Sequence, residues 1–151
     1  MWDKDKSVIL SVVIIKALYP LIAACCVAAP FLAGYYDETV VLARGEESLY
    51  VPLLVTLYSI VPPAVAAVVS LDRLLGNIRR GQPFIARNVS LLRVISWCCF
   101  AVAALFVWFS CMKPFGFAVV FAAAFFGVII RVVKNCFQQA VALREENDLT
   151  V

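Results

Sequence analysis

Four long apolar stretches are the feature that most constrains how this chain can fold. They cover approximately residues 7–33, 49–71, 89–112 and 115–136. A helix needs about 20 apolar residues to cross a hydrocarbon core of about 30 Å, and each stretch is near or above that length. The chain is 64% hydrophobic and 15% charged, whereas soluble domains are about half apolar and a quarter charged. One soluble core could not bury so many large apolar side chains, so the sequence predicts an integral membrane protein.

The continuity of these stretches predicts helices rather than barrel strands. Strands of a membrane barrel alternate in polarity over about 10 residues, and helices satisfy their own backbone hydrogen bonds in lipid. We therefore predict an all-α polytopic membrane protein, a four-transmembrane-helix bundle that forms a single integral membrane domain over residues 1–151. Residues 72–88 would form a loop and residues 137–151 a tail on the same side of the membrane.

The distribution of basic residues predicts the orientation. Only Arg44 and Lys113 fall on the side of the first loop, which is acidic because it carries Asp37, Glu38, Glu46 and Glu47. Basic residues mark the cytoplasmic side, so both termini are predicted to be cytoplasmic (N-in/C-in). That inner face would attract anionic lipid headgroups. Direct binding to nucleic acid is not expected, because the orientation rule already explains these residues. The basic residues of the predicted inner side are Lys4, Lys6, Arg73, Arg79, Arg80, Arg87, Arg93, Arg131, Lys134 and Arg144.

The loop between spans two and three carries clear turn signals. Apolar residues at helical spacing over residues 71–78 predict that span two continues beyond the lipid. Gly81 can take the left-handed turn that ends this helix, and Pro83 prevents its resumption. Asn88 is predicted to cap the helix of span three. Phe84 is predicted either to dip into the membrane interface or to pack under the bundle.

The two later connections are equally informative. The segment Met112-Lys113-Pro114 is so short that spans three and four are predicted to form an antiparallel hairpin. The tail is predicted to continue span four as a helix, with Asn147 as its left-handed stop.

The loop and the tail together resemble one known family. The loop motif reads Asn77-Ile78-Arg79-Arg80-Gly81-Gln82-Pro83-Phe84, followed by Asn88-Val89 and Leu92-Arg93-Val94-Ile95, and the tail motif runs from Ala142 to Val151. These motifs, with the span count and order, resemble small bacterial membrane proteins catalogued as domain-of-unknown-function family 2975, along essentially the whole chain. The resemblance implies a bacterial inner membrane location but no established activity. Because such proteins often occur beside a small helix-turn-helix regulator of the Cro/repressor type, it also implies a regulatory partnership.

The chemistry-bearing residues favour a non-enzymatic protein. The chain has no histidine, which removes the usual general base and the commonest metal ligand. The six cysteines are predicted to be small apolar residues in packed helices, and a labile bridge from Cys25 or Cys26 to Cys111 is the alternative. We expect no catalytic, cofactor-binding or metal-binding residues. The other cysteines are Cys98, Cys99 and Cys136.

Lys16 is the clearest charge within a predicted span. An ionisable residue in the membrane is a functional candidate by default. However, a long lysine side chain near the inner end of a span can reach the headgroups, and Asp72 is its predicted ionic partner if spans one and two touch. Snorkelling or pairing is favoured over a role in binding a substrate or a proton.

Prolines and small residues predict local packing. Pro20, Pro30 and Pro62-Pro63 each remove backbone donors, and the expected kinks could open a crevice between spans one and two. Gly127 and the nearby alanines, residues 101–104 and 122–124, suit close packing of span three on span four, or of one protomer on another in a homo-oligomer. The residues predicted near the crevice are Tyr19, Thr56, Tyr58 and Ser59.

These observations predict a regulatory or sensory protein that presents a cytoplasmic surface to a partner, with the helix-turn-helix regulator as candidate. The alternatives are a small oligomeric transporter or channel subunit, and a membrane immunity or stress-tolerance protein. The predicted interaction surface comprises Asn77, Arg79, Arg80, Gly81, Pro83, Phe84, Asn88, Arg93, Glu145, Glu146, Asn147 and Asp148.

Overall fold

Four long helices account for most of the chain, as the apolar stretches predict. The computed structural model describes the backbone of residues 4–150; residues 1–3 and Val151, and the side chains of residues 4–8 and of Asp148, lie outside the described residues. The described segment contains no strand, so the all-α prediction is confirmed, and each helix is long and apolar enough to cross a membrane. The helices are α1 (Lys4–Tyr36), α2 (Tyr50–Arg79), α3 (Ala86–Ser110) and α4 (Gly116–Leu149).

The helices pack in the order in which they occur along the chain. Within residues 4–150, extensive helix–helix contact joins α1 to α2, α2 to α3, and α3 to α4, and the last of these interfaces is the largest. Since α1 packs mainly on one neighbour, much of its apolar surface points outward, including Val27 and Phe31. Such a surface suits a lipid environment, where apolar side chains need no burial in protein.

The α3–α4 hairpin is held by a close approach of backbone at Gly127. The hydroxyl of Ser96, itself buried, donates a hydrogen bond of 2.9 Å to the carbonyl oxygen of Gly127. The ring of Phe100 packs directly over this glycine, where a Cβ atom would lie only 3.0 Å from Phe100 Cε1. The prediction of a tight hairpin, and of small-residue packing between spans three and four, is confirmed at this contact.

Proline in α1 explains one contact between α1 and α2. Pro30 has no N–H group, so it cannot donate to the carbonyl of Cys26 one turn earlier. The hydroxyl of Tyr58 on α2 donates to that carbonyl oxygen instead, at 3.0 Å. A side chain from the neighbouring helix therefore satisfies the acceptor that the proline leaves open.

A crevice of about 530 Å³ opens between α1 and α2 beside this contact. Its walls are almost entirely apolar and come from residues 21–32 and 57–64. The predicted crevice is therefore present, but of its four predicted residues only Tyr58 lines it. Thr56 is buried instead, with its hydroxyl donating to the carbonyl of Pro52 within its own helix.

A buried carboxylate organises the loop between α1 and α2. After α1 the chain forms a short π-helix (Asp37–Val41) and a 3-10 turn (Leu42–Arg44). It then reverses direction at Gly45, whose φ of 71° favours glycine. Asp37 is buried, and its two oxygens accept hydrogen bonds from the N–H of Leu49 at 2.7 Å and from the hydroxyl of Ser48 at 2.6 Å. Asp37 thereby satisfies a free donor at the start of α2 from across the loop.

Glu46 joins this loop to the α3–α4 turn. Its carboxylate forms an ion pair with the ammonium group of Lys113. The hydrogen bond from Lys113 lowers the pKa of Glu46 below its ordinary value, and the nearby positive charges act in the same direction. The two connections at this end of the molecule are therefore tethered by charge.

We expect Gly127→Val to destabilise the protein by about 1–3 kcal/mol, because the added carbons would overlap the ring of Phe100. The measurement is the free energy of unfolding in mixed detergent micelles titrated with a denaturing detergent. Gly76→Val is the matched control, since a Cβ at that helical glycine meets nothing within 4 Å. Equal losses in the two variants would contradict close packing at Gly127.

The Glu46–Lys113 tether should depend on pH in a defined direction. Because the folded pKa of Glu46 is lowered, its contribution to folding is present above the unfolded value and is lost as pH falls through the folded one. NMR titration of the Glu46 side-chain carboxyl carbon should give a midpoint below 4.5, the ordinary value. Lys113→Met should raise that midpoint; an unchanged midpoint would mean that Lys113 is not the cause.

Candidate interaction surface

The loop between α2 and α3 begins with a complete Schellman turn. Gly81, at φ 73°, takes the left-handed conformation that the sequence predicts for it. Its N–H donates to the carbonyl of Ile78 at 3.0 Å, and the N–H of Gln82 donates to the carbonyl of Asn77 at 3.1 Å. These two bonds satisfy carbonyls that the end of α2 would otherwise leave open. The loop therefore leaves the helix with a fixed direction.

Asn88 fixes the rest of the loop from inside. Its side chain is fully buried, and its amide nitrogen donates to the carbonyls of Pro83 at 2.7 Å and Gln82 at 3.1 Å. Its side-chain oxygen accepts a hydrogen bond of 2.7 Å from the amide of Asn77. These bonds connect Asn88, in the first turn of α3, to the end of α2 and to the loop that follows it. The asparagine pair Asn77–Asn88 therefore closes the loop onto itself.

The predicted helix-capping role of Asn88 is wrong. Helix α3 begins at Ala86, two residues earlier, after the extended residue Ile85. Asn88 lies in the first turn of α3, where its side chain is directed to the loop carbonyls rather than to the backbone donors of its own helix. Burial also removes Asn88 from the predicted interaction surface, because its polar atoms are already bonded within the loop.

Phe84 connects the loop to α4. Its ring centroid lies 5.5 Å from that of Phe137, with the rings tilted at 49°. The sequence predicted that Phe84 either dips into the membrane interface or packs under the bundle. The structure shows Phe84 packed against the helices, with its ring 42% exposed. Phe137 lies beyond the apolar core of α4, on the part of the helix that the sequence predicts as tail. The loop thus contacts α4 at the residue where the predicted tail begins.

Helix α4 continues further than the sequence predicts. It runs without interruption to Leu149, and no non-glycine residue among those described has a positive φ. The predicted stop at Asn147 is therefore wrong, whereas the predicted helical tail is confirmed. Exposed positions on its last turns include Glu145, Glu146 and Asn147.

The remaining predicted surface residues divide by exposure. Arg79, Arg80 and Gly81 are exposed at the apex of the loop, and Asn77 and Pro83 are half-buried. Exposed arginines at the apex and exposed carboxylates on the tail give the surface both signs of charge. A partner with complementary charges could be oriented by such a pattern.

Arg93 belongs to a different place. It lies beside Ser96 and Trp97 of α3 and Arg131 and Lys134 of α4, around a small pocket between the two helices. The guanidinium of Arg131 lies over the ring of Trp97, 5.3 Å from its centroid. Sequence reasoning placed Arg93 on the interaction surface and treated Arg131 and Lys134 only as signals of orientation. Their spacing in the sequence does not indicate that the three basic residues come together, because that depends on how α3 and α4 pack.

Lys16, which the sequence predicts to lie within a span, is paired with Asp72 as predicted. Its ammonium lies 3.1 Å from the carboxylate of Asp72, across the α1–α2 interface. The same ammonium lies 5.8 Å from the ring centroid of Tyr19. The lysine side chain is 62% exposed and that of Asp72 is 32% exposed, so this ion pair lies at the surface of the helices rather than in a polar cavity.

The cysteines form no bridge. All six are free thiols, so the alternative link from Cys25 or Cys26 to Cys111 is not made. Over the described range, no three cysteine, aspartate or glutamate side chains gather in a group that could hold a metal ion.

Removing the Asn88 side chain should loosen the loop. In Asn88→Ala, the amide of Asn77 and the carbonyls of Gln82 and Pro83 lose their partner, which costs about 1–3 kcal/mol. We expect cleavage by trypsin after Arg80 or Arg87 to accelerate by roughly tenfold, because the cleaved bonds must first leave the folded loop.

Gln82→Ala is the matched control for this experiment. The Gln82 side chain is exposed, and only its backbone carbonyl accepts from Asn88. Its cleavage rate should stay near that of the unmodified protein. Equal acceleration in the two variants would mean that the asparagine pair does not hold the loop.

Comparison with known proteins bears on the family alone. Residues 36–151 match the family described as Protein of unknown function (DUF2975). The match begins at the last residue of α1, so it includes both motifs but is narrower than the essentially whole-chain resemblance expected from the sequence. No curated protein and no solved structure matches the chain. Since the matched region is about three quarters of the chain, the protein belongs to the DUF2975 family.

Proposed function

We propose that this protein is a regulatory or sensory protein of a bacterial inner membrane that docks a cytoplasmic partner. The docking surface consists of the exposed residues of the loop between Asn77 and Asn88 and the tail from Arg144 to Val151. Both termini are cytoplasmic in this proposal, because the arginine-rich loop and the helical tail lie at the same end of the helices, and basic residues mark the cytoplasmic side.

The contact between Phe84 and Phe137 is the observation that carries the proposal. It joins the loop to the first residue of the helical tail, so that two segments distant in sequence lie side by side on the same end of the molecule. A surface assembled from two such segments suits recognition of a protein, because its shape and charge are fixed before the partner arrives.

The continuity of α4 supplies a physical route for a signal. Gly127 contacts α3 within the apolar region, and Glu145 is exposed on the tail of the same unbroken helix. They are 18 residues apart, a helical rise of about 27 Å. A shift or rotation of α4 against α3 would therefore move the tail relative to the loop. A change in the surrounding lipid, or at the acidic loop that carries Asp37, would then alter the docking surface.

The candidate partner is the small helix-turn-helix regulator that the family resemblance implies. We propose a non-enzymatic role, because the chain has no histidine and the residues above are arranged to shape a surface. The transporter alternative draws no specific support from the α1–α2 crevice. Its walls are apolar, and its one phenol hydroxyl already bonds the carbonyl of Cys26. The immunity or stress-tolerance alternative has no structural observation in its favour.

Reversing the tail charges should weaken docking. We expect Glu145→Arg combined with Glu146→Arg to reduce affinity for the helix-turn-helix protein by roughly tenfold, because two favourable rim charges become repulsive. Affinity is measured with the intact membrane protein in nanodiscs and the purified regulator. Deleting Arg144–Val151 should abolish binding.

The control introduces two arginines elsewhere on α4, although replacing neutral glutamines changes the net charge by half as much as replacing glutamates. Gln138→Arg with Gln139→Arg adds two arginines at exposed positions nearer the membrane, and it should change affinity far less. If the regulator still binds after deletion of Arg144–Val151, the proposal that it docks through the tail is contradicted. Photocrosslinking from position 145 in native membranes would then identify what, if anything, contacts this surface.

A further inference from the structure

Three basic side chains from two helices converge on one pocket. Arg93 of α3 and Arg131 and Lys134 of α4 line it together with Ser96 and Trp97. We refer to these five residues as the basic pocket. Its volume is about 20 Å³, enough to hold one or two water-sized groups. A single phosphate oxygen would fit such a space, whereas a whole headgroup would have to remain outside it.

The packing of α3 on α4 fixes the basic pocket. The buried hydrogen bond from Ser96 to the carbonyl of Gly127 sets the register of the two helices. Arg93 and Arg131 lie about one helical turn beyond Ser96 and Gly127, towards the arginine-rich end of the molecule, and so reach the same level. The ring of Trp97 holds the guanidinium of Arg131 at 5.3 Å, an arrangement that orients the cation.

No carboxylate among the described side chains forms an ion pair with these cations. The ion pairs among the described side chains are Lys16–Asp72 and Lys113–Glu46, and neither involves the basic pocket. Positive charges brought together without a carboxylate repel one another and favour an anionic ligand. Positive-inside orientation explains why basic residues occur at this end, but it does not explain why three of them surround one pocket.

The position of the pocket along α4 indicates the source of the anion. Arg131 follows directly after an apolar run that ends at Ile130, so it lies at the boundary between hydrocarbon and headgroups. The same parts of α3 and α4 carry exposed apolar side chains, namely Val94, Val128 and Val132. An acyl chain could lie on this surface while a phosphate reaches the cations. Trp97 is 56% exposed, as expected for an aromatic residue at the membrane interface.

We propose that the basic pocket binds the phosphate of an anionic phospholipid. Arg93, Arg131 and Lys134 supply the charge, the Ser96 side of the pocket limits its depth, and the valine surface receives the acyl chain. This is a specific site rather than the general attraction of a basic face for acidic lipid. It does not rest on the docking proposal, because no residue of the loop or the tail takes part.

Trp97 permits a direct test in the intact protein. In a Trp2→Phe/Trp108→Phe background it is the only tryptophan, and its fluorescence is quenched by lipids brominated near the headgroup end of the chain. The protein is placed in phosphatidylcholine nanodiscs containing equal fractions of brominated phosphatidylglycerol or brominated phosphatidylcholine. The ratio of the two quenching efficiencies gives the relative association of the anionic lipid at this position.

We expect the anionic lipid to be preferred by roughly fivefold or more, since each cation near the surface contributes about a fivefold attraction. Arg131→Gln with Lys134→Gln should bring the ratio close to one. Arg93→Gln, which leaves the contact between Arg131 and Trp97 in place, should lower it in part. Arg79→Gln with Arg80→Gln removes the same charge from exposed positions outside the pocket and should leave the preference intact.

Two results would overturn the proposal. One is an equal reduction of the quenching ratio by the pocket variant and by the Arg79/Arg80 control. That result would mean that the preference reflects the overall positive charge of this end and not a specific site. The other is loss of the preference when inorganic phosphate replaces chloride at the same ionic strength, because the pocket would then take free phosphate. Using the ratio of two lipids cancels any change that a substitution causes in the fluorescence of Trp97 itself.

Discussion

The structure depends on satisfying every backbone hydrogen bond where the chain cannot rely on water. In an apolar environment an unpaired N–H or C=O group costs several kcal/mol, so helices must run unbroken and their ends must be closed by specific groups. Polar side chains in this protein serve that purpose repeatedly. Asp37 binds the donor at the start of α2, Asn88 binds loop carbonyls, and Tyr58 binds the carbonyl freed by Pro30.

Different interactions hold the interhelical connections at the two ends of the molecule. At the acidic end a buried carboxylate and the Glu46–Lys113 ion pair hold the two connections. At the basic end neutral asparagine amides and the tilted packing of Phe84 on Phe137 do so, and no loop arginine forms an ion pair with a described carboxylate. The proposed docking surface and the proposed lipid site share this end, and both involve α4. A lipid bound at Arg131 would therefore act on the same rigid helix that carries the tail.

Much of the fold could be predicted because local signals are strong in this chain. Apolar length predicts the four helices, Gly81 predicts the turn, and Gly127 predicts a close contact of α3 with α4. The errors also have local causes. Asn88 follows a proline-containing loop and precedes an apolar run, which is the pattern of a helix cap, but the chain enters α3 two residues earlier and frees the side chain for the loop. Asn147 was predicted to stop a helix that continues to Leu149.

The sequence by itself determined that the chain forms four membrane-length helices with basic residues concentrated at one end, because hydrophobic length and charge are properties of segments. Only the tertiary structure decided which distant residues meet. Phe84 contacts Phe137, and Arg93 joins Arg131 and Lys134, because α3 and α4 pack in the register set by Ser96 and Gly127. The register between two helices depends on how side chains fit across their interface. The periodicity of a single segment therefore does not predict that register.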